Sequence, residues 1–114
     1  MSVTGVAGLP CVGDAGRPIV ELRREAVSAV VRTRQLDGEA AAVRARAARI
    51  EEEARRAFAR GEDRLGRQIL FRGLFTLETR ERLEQELGES RRLVVQLLQS
   101  LVRTENQAWG VRMR

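Results

Sequence analysis

The sequence predicts an all-α chain, a long antiparallel two-helix coiled-coil hairpin with its turn at Gly61. Three observations predict it. A helical pattern runs into Gly61 and a second one starts at once with Glu62 and Asp63. A heptad seam of alternating four- and three-residue steps passes through Leu36, Ala40, Val43, Ala47, Ile50, Ala54 and Ala57. The following helix gathers Leu65, Ile69, Leu83, Leu87, Val94, Leu98 and Leu101 within one narrow arc, as a matching seam requires.

Residues 1–17 are rich in Gly and small side chains, contain Pro10 and show no sustained period, so they read as a flexible N-terminal tail. Pro18 then suits a first helical turn, where its missing N–H costs nothing. The hairpin is expected over 18–114, with one helix over about 18–60 and a second over about 62–109. Each arm would be about 60–70 Å long at the helical rise. Half of the first seam is Ala, which lets a partner helix approach closely. Upstream, Val20, Val27, Val30 and Val31 lie on another side of a straight helix, so the seam is expected to shift near Arg34 or to meet a different partner there. At the turn, Gly61 fits the left-handed position past a helix end. Glu62 and Asp63 suit the positive end of the next helix. Folding the chain at Gly61 sets Ala57 near Leu65, Ala54 near Ile69, Ala40 near Leu83, Leu36 near Leu87 and Pro18 near Thr104. The proline entry of one arm thus meets the place where the other arm loses its pattern.

The composition narrows the function. All 21 basic residues are Arg, and the net charge of +5 favours an anionic partner, either a membrane surface or nucleic acid. Complete use of Arg over Lys fits a GC-rich genome better than selection for Arg chemistry. Cys11 is the single cysteine, which suits a reducing compartment and, without His or Lys to activate it, an inert thiol. No apolar run approaches the roughly 20 residues that span a bilayer, and residues 1–16 lack the basic and apolar regions of a secretory signal. A cytoplasmic protein, peripheral to the inner face of the cell membrane, is the expectation.

Catalytic chemistry is not expected. The chain has no His, no glycine-rich phosphate loop and too few cysteines for a zinc cluster, so no cofactor, metal or small-molecule substrate is expected either. The run Glu51-Glu52-Glu53 beside Arg55 and Arg56 reads as a solvated helix face. Arg23, Arg24, Arg32, Arg34, Arg44, Arg46 and Arg49 give the first arm a basic side, but glutamates interleave and no nucleic-acid-binding motif is present. Weak, nonspecific nucleic-acid binding fits that pattern.

Near its start the second arm is apolar almost all round. Leu70, Leu74 and Leu77 lie to one side of the seam, and Phe71 and Phe75 nearly opposite it. A helix of that kind needs more than one neighbour, so these five residues form the expected assembly surface.

The stretch from Arg49 to Leu70 resembles the hairpin tip of the phage-shock protein A family, which includes the plastid vesicle-inducing protein and is related to ESCRT-III membrane-remodelling proteins. In that family's pattern Ile50 takes the aromatic or apolar anchor and Ala54 and Ala57 the small seam positions. Phe58 takes a usual Leu, Gly61 the turn, Glu62 and Asp63 the acidic helix start, and Leu65, Arg67 and Leu70 follow. Gln35-Leu36 upstream and the repeat from Leu83 to Asn106 downstream extend the likeness to about residues 27–112. The resemblance implies a non-enzymatic coiled-coil assembly protein in membrane maintenance or envelope-stress response, forming oligomers with itself or with a longer family member. The chain departs from the family at its start, which lacks a basic apolar face, and in ending at Arg114, so it reads as a shortened member holding the hairpin alone. Gly66 stands where the family has Ala, and Gly38, Gly73 and Gly88 are expected to weaken the helices by up to about 1 kcal/mol each. The alternative is a basic helical adaptor that binds nucleic acid or another coiled-coil protein.

Overall fold

The computed structural model describes residues 18–113, with side chains to residue 110. The expected tail, residues 1–17 with Cys11, lies outside the described residues. Within them the chain is all-helical, with no strand: α1 spans Ile19–Ala59, α2 Asp63–Arg72 and α3 Leu74–Met113. No helix is long and apolar enough to cross a membrane among the described residues.

Helix α1 begins where Pro18 permits it. The Pro18 carbonyl accepts the N–H groups of Glu21 and Leu22 at 3.1 and 3.2 Å, and proline itself adds no unsatisfied donor. The helix ends in a Schellman motif. Glu62 N–H donates to the Ala57 carbonyl at 2.9 Å and Gly61 N–H to the Phe58 carbonyl at 3.0 Å. Gly61 holds the left-handed φ of 78° that this closure needs.

The second arm differs from its expected form. It starts at Asp63 rather than Glu62, runs to Met113, and consists of two helices that meet at Gly73. Glu62 precedes α2 without capping it through its side chain; its carboxylate holds the Arg60 guanidinium instead. The interruption at Gly73 is local, because its N–H still reaches the Ile69 carbonyl and its own carbonyl takes the Leu77 N–H, both at 3.0 Å.

The described contacts group into two units. Arg34–Gly88 forms one, and the segments ending at Thr33 and beginning at Glu89 form the other. In the first, Leu36, Ala40 and Val43 of α1 cluster with Leu83 and Leu87 of α3, and Ala47, Ala54 and Ala57 are buried. Two glycines receive large side chains from α1. A Cβ at Gly73 would lie 2.6 Å from Ile50 Cγ2, and one at Gly66 would lie 2.6 Å from the Phe58 ring. These glycines are seats for α1 side chains, a packing role beyond the helix weakening expected of Gly73. The carboxylate of Glu84 accepts two 2.6 Å hydrogen bonds from Arg44, and that of Glu51 accepts two from Arg80 at 3.0 and 3.2 Å.

In the second unit, Ala26 and Ala29 of α1 cluster with Leu97 of α3, and half-buried Val94 packs against them. Leu22 and Ser100 are fully buried. Thr33 Oγ1 lies 2.6 Å from Ser90 Oγ. Thr33 already donates its hydroxyl proton to the Ala29 carbonyl at 2.7 Å. A hydroxyl carries one proton, so Ser90 is the donor of the cross-helix bond. Arg23 reaches Glu105 at 3.1 Å. The seam of α1 therefore does not shift near Arg34. Its inward positions continue in four- and three-residue steps through Thr33, Ala29, Ala26 and Leu22, while Val20, Val27 and Val31 face solvent. Val30 is half-buried, and the three exposed valines mislead because the inward positions between Leu22 and Leu36 are small or polar.

Candidate functional site

The surface that stands out is the outer face of α2 and the first turn of α3. Sequence forces α2 to be two-faced. Gly66 is buried and Leu65, Ile69 and Leu70 are half-buried, while Arg64, Arg67, Gln68, Phe71 and Arg72 are exposed. The Phe58 ring over Gly66 and Ile50 over Gly73 fix the inward side. The outward side is thereby fixed as well. Phe71 is 79% exposed, and Phe75, one turn on, is 78% exposed. Leu74 is also exposed, whereas Leu70 and Leu77 are half-buried. The five residues of the expected assembly surface lie on two sides. Leu70, Leu74 and Leu77 step along the flank of the seam, and Phe71 and Phe75 stand on the crest.

Arg64, Arg67, Gln68, Phe71 and Arg72 line one open groove. None of the three guanidiniums has an ion pair or hydrogen-bond partner among the described residues. Elsewhere in this unit several charges are paired. Hydrogen bonds from Arg80 hold the Glu51 carboxyl below its ordinary pKa, and Glu51 in turn raises that of Arg80. Glu84 does the same to Arg44. Glu52 is held by both Arg55 and Arg56. These pairs lie on exposed flanks, where an ion pair is worth little for stability; the Arg44–Glu84 and Arg80–Glu51 pairs are bidentate and join α1 to α3.

No family model matches the chain, and neither does any curated protein or solved structure.

The predicted turn residues Gly61, Glu62 and Asp63 sit at the turn and the start of α2. Of the predicted seam, Leu36, Ala40, Val43, Ala47, Ala54, Ala57, Leu83 and Leu87 are buried, and Ile50, Leu65, Ile69, Val94 and Leu101 are half-buried. Leu98 is the exception, 44% exposed, with Leu97 and Ser100 buried beside it. Beyond Leu87 a row of inward positions passes through Ser90, Val94, Leu97, Leu101 and Thr104, again in three- and four-residue steps, with Ser100 buried beside it. Two of these five, Ser90 and Thr104, are polar, so a search for apolar residues misses them and has no register by which to choose Leu97 over Leu98. Carrying the heptad count past Leu87 without regard to polarity finds them. Leu98 belongs instead to a second row on α3, with Val95, Val102 and Trp109, all exposed and spaced by three, four and seven residues.

Proposed function

We propose that the chain is an antiparallel two-helix coiled-coil hairpin turning at Gly61, and that it acts as a non-enzymatic assembly protein. In this reading it resembles phage-shock protein A and serves membrane maintenance or envelope-stress response, as a homo-oligomer or with a longer relative. The antiparallel pairing is supported within each unit. In the first, Leu36 and Ala40 cluster with Leu87 and Leu83, and Ile50 seats on Gly73. In the second, Thr33 bonds Ser90 and Arg23 bonds Glu105. In both, positions earlier in α1 contact positions later in α3.

The observation that carries the assembly reading is the second row of α3. Val95, Leu98, Val102 and Trp109 repeat at heptad spacing yet face solvent. A helix with two apolar rows requires a second neighbour, and a heptad row is the form a helical neighbour recognises. Leu70, Leu74 and Leu77 supply a shorter row of the same four-three spacing beside the seam. Burying such side chains gains about 1.5–3 kcal/mol each.

Light scattering on the eluting peak of a size-exclusion column tests the reading. Wild-type chain is expected to run as an assembly, and the double variant Leu98→Glu, Val102→Glu as smaller particles with unchanged helix content. Equal particle mass for the two proteins would remove the α3 row from the assembly. A monomer that binds duplex nucleic acid saturably above physiological salt would instead favour the adaptor reading.

A further inference from the structure

The crest of α2 and α3 differs from the rows that suit a helical partner. Phe71 and Phe75 are the most exposed large apolar side chains among the described residues. They form a wedge only two residues long. The next positions along that face at helical spacing are Arg67 and Gln68 before Phe71, and Glu78 and Thr79 after Phe75. A coiled-coil neighbour laid along this face would meet charge at both ends of the wedge. A lipid leaflet needs no longer row, because aromatic side chains enter the acyl boundary while cationic groups remain at headgroup depth. Arg64, Arg67 and Arg72 surround Phe71 in that arrangement, and their lack of partners among the described residues leaves their charge available. The nearest carboxylate to this groove in sequence besides Asp63 is Glu62, which already engages Arg60.

We propose that this face docks on an anionic lipid surface, with Phe71 and Phe75 at the acyl boundary and Arg64, Arg67 and Arg72 on the headgroup phosphates. The proposal rests on the membrane half of the functional reading and places the contact on α2. It is independent of the α3 row that the assembly reading uses.

The test is sedimentation of the full chain with phosphatidylcholine vesicles, with and without an equal part of phosphatidylglycerol. Wild type is expected to sediment with the anionic vesicles and stay in solution with the neutral ones. Each arginine near an anionic leaflet contributes about fivefold to partition, so Arg64→Gln, Arg67→Gln, Arg72→Gln together should weaken it about a hundredfold. Phe71→Ser with Phe75→Ser should also abolish sedimentation. Both variants are expected to keep the wild-type particle mass and helix content, whereas Leu98→Glu with Val102→Glu should reduce mass. A direct reporter is Phe71→Trp in a Trp109→Phe background, whose emission should shift to the blue with anionic vesicles only. Wild-type levels of sedimentation by both face variants would overturn the proposal. So would a fall in particle mass caused by the phenylalanine change, which would assign the wedge to a second copy. Binding of an oligonucleotide through the same three arginines, with no vesicle binding, would assign the face to nucleic acid and overturn it too. A monomeric wild type that still binds anionic vesicles through α2 would sink the assembly reading and leave this one standing.

Discussion

Residues Arg34–Gly88 and the unit formed by the two end segments solve one packing problem with different side chains. The first closes its seam with alanines, a Leu-Val cluster and two glycines that accept Ile50 and Phe58. The second closes its seam around Ala26, Ala29 and Leu97 and inserts a hydroxyl pair, Thr33 with Ser90, and a buried Ser100. The first gains from apolar burial and shape. The second gives up apolar area for hydrogen bonds, whose net contribution is small when made and whose loss is costly when one partner remains. Polar seam positions also fix register in coiled coils. The difference suggests a well-packed region around the turn and a region near the ends whose pairing is set by specific bonds.

The largest effect expected is in the apolar cluster. Leu87→Ala removes a side chain 1% exposed among Leu36, Ala40 and Leu83 and should cost about 2–5 kcal/mol in urea unfolding. Leu97→Ala, facing mainly alanines, should fall at the lower end of that range. Equal losses would erase the contrast between the units.

Next come the glycine seats. Gly73→Ala gains helix propensity of about 1 kcal/mol, but its Cβ meets the stiff, branched Ile50 at 2.6 Å, a clash of the kind that costs about 1–3 kcal/mol. A lowered melting temperature is expected, and in an Ile50→Ala background the same Gly73→Ala change should lower it no further. Gly66→Ala meets only the Phe58 ring, which is 39% exposed and free to swing outward, so its melting temperature should stay close to wild type.

The hydroxyl pair gives a smaller effect. Thr33→Val leaves Ser90 without its acceptor and should cost about 1 kcal/mol. Adding Ser90→Ala should recover most of the loss, because two matched apolar groups replace a matched polar pair. A double variant weaker than the single one would mean that the bond matters for more than satisfaction of its own groups.

The smallest effect is electrostatic. The Glu51 carboxyl lies below its ordinary value near 4.5 because Arg80 holds its charged form. A group with a depressed folded pKa stabilises the fold above its unfolded pKa and loses that contribution as pH falls through the folded value. Thermal melts should therefore show wild type losing slightly more stability than Glu51→Gln on acidification below about pH 4.5. Parallel curves would show that the pair carries no pH dependence.

The all-helical class and the turn were legible because they depend on strong local signals: a heptad of apolar and small residues from Leu36 to Ala57, and a glycine followed by acids. The end segments were harder. Their inward residues include the polar Thr33, Ser90 and Thr104 beside Leu22 and Leu97, while Val27, Val31 and Leu98 face out. Hydrophobicity then points to the wrong face, and only the count of heptad steps points to the right one. The break at Gly73 was hidden for another reason. A glycine in a helical pattern reads as a weakness, and its purpose becomes visible only once Ile50 is placed against it. Of the expected surface, the exposure of Phe71, Leu74 and Phe75 was readable from spacing; the partial burial of Leu70 and Leu77 required the packed helices.

The assembly claim is tested most directly by the mass of the wild-type chain in solution. Light scattering coupled to size exclusion, at low and high salt, followed by negative-stain microscopy of the main peak, measures it. Particles much heavier than one chain are expected, persisting at high salt because apolar rows hold them together. A sharp peak at the mass of a single chain under both conditions would contradict it.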